Sequence, residues 1–184
     1  MQFIPTPLRD AHIITPDKLT DERGFFARTW CQQAFLDRGL DANLSQCSIS
    51  FNHQLGTLRG LHWQIPPFAE TKLVRCTQGA IYDVIVDLRP DSDTFRQWMA
   101  VYLTATNHQA LYIPQGFAHG FQTLAANTEV FYQMSGLYAP AAARGLRWND
   151  PSFAIEWPIE ISIISQRDRD YPDYTSDLPV LQAN

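Results

Sequence analysis

Short apolar-rich runs, some alternating apolar and polar with a period of two, are cut along the chain by Gly, Pro, Asn and Asp. That pattern predicts strands. The runs are Ala11–Thr15, Gly24–Trp30, Leu44–Phe51, Thr57–Trp63, Thr71–Thr77, Ala80–Leu88, Gln97–Leu103, Ala110–Ile113, Ala118–Leu124 and Glu129–Leu137. Several are rich in the β-branched and aromatic residues that suit a pleated, half-buried surface. Only Cys31–Arg38 reads as a short helix. Many short strands at this spacing predict an all-β sandwich or barrel, not a parallel α/β sheet. From Ala139 onward the strand pattern fades and Pro, Asp and Ser become more frequent, which predicts an extension packed over the core. With no repeat, low-complexity tract or linker, residues 1–184 read as one domain with that extension.

The alternation also sorts side chains by face. Ile81, Asp83, Ile85 and Asp87 share one side of their strand, and Tyr82, Val84 and Val86 share the other. Two acids on so apolar a strand need partners if buried. Phe117, His119 and Phe121 fall together, as do Gly60, His62 and Gln64, with Arg59 and Leu61 opposite. For Arg59 and His62 to serve one pocket, the strand must twist or bulge near Gly60, which a glycine permits.

Composition narrows the classes of function. The chain has 184 residues, 45% hydrophobic and 18% charged, as expected of a globular domain with one sizeable core. Its net charge of −5 argues against a nucleic-acid binder, which needs a basic face. No apolar run is long enough to span a membrane, and the N-terminus has no basic start followed by an apolar stretch. Cys31, Cys47 and Cys76 match neither a disulfide framework nor a zinc ribbon, so small buried thiols in a reducing, cytoplasmic setting are expected.

The candidate chemistry clusters in Leu58-Arg59-Gly60-Leu61-His62-Trp63-Gln64, in Lys72, in Gly116-Phe117-Ala118-His119-Gly120-Phe121 and in Tyr132. His62 is a candidate general base. It requires an orienting carboxylate, for which Asp83, Asp168 and Asp170 are equal candidates. An inward Lys72 would need an anion, and an oxygen becoming an enolate supplies one. Tyr132 can donate a proton to a carbanion face that the histidine does not reach. His119 is a further base, ligand or anion contact. The usual all-β metal pattern has histidines one residue apart, whereas Trp63-Gln64 follows His62, so no metal or other cofactor is expected. Arg23 and Arg59 are candidate phosphate anchors. The alternative for Arg23 is a surface salt bridge with Asp21 or Glu22. Neither a Rossmann nor a P-loop glycine motif occurs.

Taken in order, these residues resemble the dTDP-4-dehydrorhamnose 3,5-epimerase family, the dTDP-sugar epimerases of the cupin superfamily. The resemblance runs from about Thr6 to about Asp170. It includes Asp21-Glu22-Arg23-Gly24-Phe25-Phe26, Lys72-Leu73-Val74-Arg75-Cys76, Ile113-Pro114-Gln115-Gly116, Trp148-Asn149-Asp150-Pro151 and Ile155-Glu156-Trp157-Pro158. It implies a metal-free β jelly roll and a homodimer in which strands of one subunit complete the other's site. The implied substrate is dTDP-4-keto-6-deoxyglucose, inverted at C3 and C5. His62 would be the base, Asp168 its carboxylate partner, Tyr132 the acid and Lys72 the enolate stabiliser. Arg23, Gln46, Arg59 and His119 would lie along nucleotide and sugar, Asp83 would support the site and Tyr138 would contact the nucleotide. Arg28 and Ser48 depart from the family's common glutamate and asparagine at the substrate site. The rival readings are an epimerase acting at one carbon or on another nucleotide-ketosugar, a metal-dependent cupin oxygenase or isomerase, and a binding module without turnover.

Overall fold

The computed structural model describes residues 1–176; residues 177–184 of the expected domain lie outside the described residues. Its strands are β1 (Gln2–Pro5), β2 (His12–Thr15), β3 (Lys18–Asp21), β4 (Gly24–Ala27), β5 (Gln46–Asn52), β6 (Thr57–Gln64), β7 (Lys72–Gln78), β8 (Ala80–Asp87), β9 (Trp98–Thr104), β10 (Ala110–Ile113), β11 (Phe117–Thr123), β12 (Thr128–Met134), β13 (Ala143–Gly145) and β14 (Ile163–Ile164). Two short helices, α1 (Gln32–Leu36) and α2 (Gln166–Arg169), complete the elements.

The strands form an all-β double-sheet jelly roll. The first sheet has the order β1-β2-β10-β7-β12-β5. The second runs β13-β6-β11-β8-β9, with β14 pairing parallel to β6. β3 and β4 form a separate two-stranded ribbon.

Three apolar layers hold the sheets together. Val74, Leu111, Ile113 and Val130 of the first sheet meet Ile81, Ile85, Leu103 and Phe121 of the second. On the outer face of the second sheet, Val84, Val86 and Ala118 pack under Leu146, Phe153 and Ile155 from the C-terminal segment. On the outer face of the first, Leu73, Ala110 and Tyr112 pack under Phe35 and Leu40 from α1 and the turn after it. β8 is therefore apolar in both directions, as a strand covered on both faces must be. Its interior face carries Ile81 and Ile85 with Asp83 and Asp87, and both acids are fully buried.

The predicted strands are found within a few residues of the expected limits, and Ala110–Ile113 is unchanged. Gly24–Trp30 is shorter, ending at Ala27. β1, β3, β13 and β14 were not expected. β3 is exposed throughout, so it has no buried face to write an alternation into the sequence. β1 is an edge strand ending in Pro5, which has no amide proton to give a ladder. The expectation of three buried thiols is corrected: Cys76 is buried, Cys31 is half-buried and Cys47 lies exposed on the edge strand β5.

Asp87 shows how a buried acid is tolerated. Its Oδ1 accepts from Arg89 N at 3.0 Å and Nε at 2.9 Å. Its Oδ2 accepts from Arg89 Nη2 at 2.8 Å, Ser92 Oγ at 2.6 Å and Thr94 Oγ1 at 2.7 Å. Burial pushes its pKa up, but the Arg89, Ser92 and Thr94 hydrogen bonds outweigh it and hold the carboxyl below the ordinary range. Because the folded value lies below the unfolded one, the stabilisation is complete above the unfolded pKa, about 3.9, and is lost as pH falls through the folded value. Asp87→Asn should therefore cost roughly 3 kcal/mol at neutral pH. In urea unfolding, the gap between variant and parent should close as the solution is acidified.

Candidate active site

A cleft opens at one end of the sandwich, and the two sheets supply its opposing walls. His62 on β6 and His119 on β11 come from the second sheet, whereas Ser48 on β5, Lys72 on β7 and Tyr132 on β12 come from the first. This part of the cleft has a volume of about 290 Å³. A second lobe of about 350 Å³ shares His62, His119 and Tyr132 with it and adds Arg59, Ser165 and Asp168.

A bulge builds the histidine wall. His62 pairs with His119 and Arg59 with Phe121, so Gly60 and Leu61 together stand opposite Gly120. The extra residue turns Arg59 to the side that His62 occupies, as the sequence required if both were to serve one pocket. Gly60 permits this in two ways. Its φ is +119°, and a Cβ there would lie 2.5 Å from Gly120 Cα and 2.8 Å from the His119 carbonyl oxygen. Arg59 is then steadied by its Nε, which donates to Asn52 Oδ1 at 2.7 Å.

Of the three candidate carboxylates, Asp168 meets His62, with Nε2 to Oδ1 at 2.7 Å. Asp83 instead meets His119, Nε2 to Oδ1 at 2.8 Å, and Asp170 caps the end of α2. The Ser165 hydroxyl accepts from Asp168 N at 3.1 Å at the start of α2, and Gly60 N donates to Asp168 Oδ2 at 3.4 Å. Burial raises the Asp168 pKa, yet the hydrogen bond and charge of His62, with the Gly60 and Ser165 contacts, hold it below the ordinary carboxylate range. An ionised Asp168 accepts a hydrogen bond from Nε2–H, which leaves the His62 Nδ1 lone pair free to accept a proton.

Lys72 is buried, with Nζ 3.5 Å from Glu70 Oε1 and 3.4 Å from the His62 carbonyl oxygen. Burial pushes its pKa down, and the Glu70 charge pushes it back. Tyr132 stacks edge-on to His119 with ring centroids 5.9 Å apart. Burial, reinforced by the negative charge of Asp83, raises its phenol far above the ordinary value. The phenol therefore keeps its proton across the working pH range.

The remaining predicted residues fall into two groups. Ser48 lines the cleft, as does exposed Tyr138 at its rim, and Gln46 is at the start of β5 with Nε2 3.7 Å from the Sδ of Met134, itself a lining residue. Asp83 stands behind His119. Arg23 and Arg28 are not in the cleft of their own chain. Arg23 is exposed at the turn of the β3–β4 ribbon and bonded to Asp21, and exposed Arg28 has Nη1 3.8 Å from Cys31 Sγ. Sequence reasoning missed Glu70, Gln64, Asn52 and Arg167. Glu70 was readable, since it precedes Lys72 by two positions and so shares its face. Arg167 was also within reach, because Ser165-Gln166-Arg167-Asp168 carries the serine-then-acid signature of a helix start. Nothing local points to Asn52. Among the described residues, no group of three His, Cys, Asp or Glu side chains is arranged to hold a metal ion. Nor is any helix among them long and apolar enough to cross a membrane.

Gly60→Ala should lower stability by about 2 kcal/mol or more, since it adds both backbone strain and a backbone clash. The check is urea unfolding together with the NMR signals of His62 and Arg59 in the folded fraction: the midpoint should fall and the signals should move, because the wall carrying both residues must shift.

The chain as a whole is similar to known proteins. A family model described as dTDP-4-dehydrorhamnose 3,5-epimerase matches residues 5–176. The chain is 40% identical over 181 residues to the dTDP-4-dehydrorhamnose 3,5-epimerase of Sinorhizobium fredii, covering 98% of this chain and 92% of that protein. It is also similar to the crystal structure of the Bacillus anthracis enzyme of that name with TDP and PPi bound, at TM-score 0.90 and 43% identity over 94% of this chain and 99% of the other. The Elizabethkingia anophelis enzyme superposes at TM-score 0.92 with 36% identity, over 95% and 96% of the two chains.

Proposed function

The chain belongs to the dTDP-4-dehydrorhamnose 3,5-epimerase family and is an epimerase of the isomerase class, and from that premise we propose that it inverts C3 and C5 of dTDP-4-dehydro-6-deoxy-D-glucose to give dTDP-4-dehydro-L-rhamnose. The carrying observation is the 2.7 Å contact between His62 and Asp168, facing Lys72 and Tyr132 across one cleft.

The chemistry follows from the substrate's ketone. Hydrogens on C3 and C5 are acidic because loss of either leaves a carbanion that spreads onto the C4 oxygen. His62 Nδ1 takes the proton, and Asp168 stabilises the imidazolium that results. The Lys72 ammonium balances the enolate oxygen. Tyr132, on the opposing wall, returns a proton to the other face of the carbon and leaves as phenolate. Exchange with solvent then resets both groups: His62 releases its proton and Tyr132 regains one. General base catalysis contributes ~10²–10⁴-fold, and preorganised charge at a developing oxyanion adds about 3–4 kcal/mol. Neither effect alone suffices, which is why base and cation belong together.

Gln46, Ser48, Arg59, His119 and Tyr138 would hold the nucleotide and sugar, with Asp83 fixing the His119 ring. The ribbon turn bearing Arg23, and Arg28 beyond it, would reach the cleft of a second subunit in a homodimer. Support comes from Leu19, Phe25 and Phe26, which the ribbon leaves exposed, and from Ile49 and Phe51 exposed on the edge strand β5. The reading makes residues 1–184 one domain working on cytoplasmic nucleotide sugars without a cofactor.

His62→Asn should abolish entry of solvent deuterium into dTDP-4-dehydro-6-deoxy-D-glucose, followed by NMR in deuterated water; wild-type exchange at both carbons would remove His62 as the base. Tyr132→Phe should preserve exchange while lowering epimerised product by about 10²-fold or more. In the parent enzyme, two deuterium atoms per product mark inversion at both carbons, and a single one marks a mono-epimerase.

A further inference from the structure

Lys72 ends in a buried ammonium whose hydrogen-bond acceptor is the His62 carbonyl oxygen at 3.4 Å. One carbonyl does not replace the water lost on burial, and a lysine buried without an anion tends to release its proton. The anion is Glu70, whose Oε1 lies 3.5 Å from Nζ, the two side chains being 7% and 11% exposed respectively. Glu70 is itself fixed, since its Oε2 accepts from Gln64 Nε2 at 3.1 Å. Gln64 is pinned in turn: Nε2 also donates to the Phe68 and Leu137 carbonyls, at 3.0 and 3.2 Å, and Oε1 accepts from Ala139 N at 2.7 Å. The result is a bracket running from β6 through the following turn to β7.

We propose that Glu70 is a positioning residue that keeps Lys72 charged and aimed into the cleft. This rests on the reading of Lys72 as the counter-charge to the enolate. The other ionisable groups that line the cleft with Lys72 or act on it are His62 from β6, Asp83 from β8, His119 from β11, Tyr132 from β12, Arg144 from β13, Arg167 from α2 and Tyr138, while its β10 neighbour is Ile113. His62 and His119 are each bonded to their own carboxylate. Asp83 acts on Lys72 only through its field, and Tyr132 carries no charge. Among the described residues Glu70 is the one carboxylate within ion-pair distance of Lys72. Burial lowers the Lys72 pKa, and of the forces that oppose it the Glu70 charge is the largest.

Glu70→Gln tests this, because the amide retains the side chain's shape and removes its charge. Two readings are taken on the full chain: the titration of the Lys72 ammonium by NMR, and kcat and KM against pH with dTDP-4-dehydro-6-deoxy-D-glucose. The Lys72 titration should fall by about 1–3 pH units. The alkaline limb of kcat should fall with it, so that kcat drops about tenfold for each unit above the new pKa and recovers on acidification, with KM much less affected. Glu70→Asp, which keeps the charge one methylene further away, should give an intermediate titration, and it carries the test if the glutamine variant does not fold. An unchanged Lys72 titration in either variant overturns the proposal. A lowered titration with an unchanged kcat profile supports the pairing and instead removes Lys72 from the enolate step.

Discussion

Where Gly60 passes Gly120, two backbones come closer than any side chain would permit, and the active-site wall is set by that contact. A Cβ on either residue would fall within 3 Å of the other strand's backbone. The close approach allows β6 to take an extra residue opposite β11 without opening the sheet. Arg59 and His62, which strict alternation would send to opposite faces, then share one. The same turn of the chain offers Gly60 N to Asp168, so the carboxylate that orients His62 is tied to the residue that makes the bulge.

The second constraint is that a charge inside an apolar sandwich must have a counterpart. Asp87 has Arg89, Asp83 has His119, Asp168 has His62 and Glu70 has Lys72. These pairs have different consequences. Asp87 is saturated by five hydrogen bonds from Arg89, Ser92 and Thr94, so it braces the fold and has nothing left to offer a ligand. Asp168 leaves its histidine partner 40% exposed to the cleft, which gives that pair a free nitrogen and a route to substrate. Burial of the acid with exposure of the base separates a reactive dyad from a structural one.

Legibility in the sequence followed burial. Strands with one or two covered faces, such as β8 and β10, wrote their pattern into the residues and were read nearly to their ends. β3 covers no core and left no pattern. His62, Lys72, His119 and Tyr132 were legible because an ionisable residue in an apolar strand needs a reason to be there. The need for a bulge was also legible, since Arg59 and His62 have the wrong spacing to face one pocket without it. The choice of Asp168 over Asp83 and Asp170 rested on the family likeness, because strand periodicity cannot say which distant segment folds back over β6. Asn52 was invisible for the same reason: it ends a strand of the first sheet and meets Arg59 on the second, and not along a strand. Arg23 was named from its guanidinium chemistry and again from the likeness, Arg28 from the likeness alone, and a single chain leaves both outside its own cleft.

For the proposed reaction, opposed environments suit His62 to the role of base and Tyr132 to that of acid more firmly than residue type does. His62 is partly open to solvent and bonded through one ring nitrogen to Asp168, so its other nitrogen faces the cleft with water at hand. Tyr132 is half-buried near Asp83, whose negative charge disfavours a phenolate. Such a phenol is a poor acid toward water and toward the histidine. It is still acidic beside a carbanion alpha to a ketone, so it yields its proton only when that carbanion has formed. A stronger acid at this position would ionise early and set a negative charge against the developing enolate. In the proposed reaction the raised phenol would make proton return wait for proton removal, with donor and acceptor supplied by different sheets.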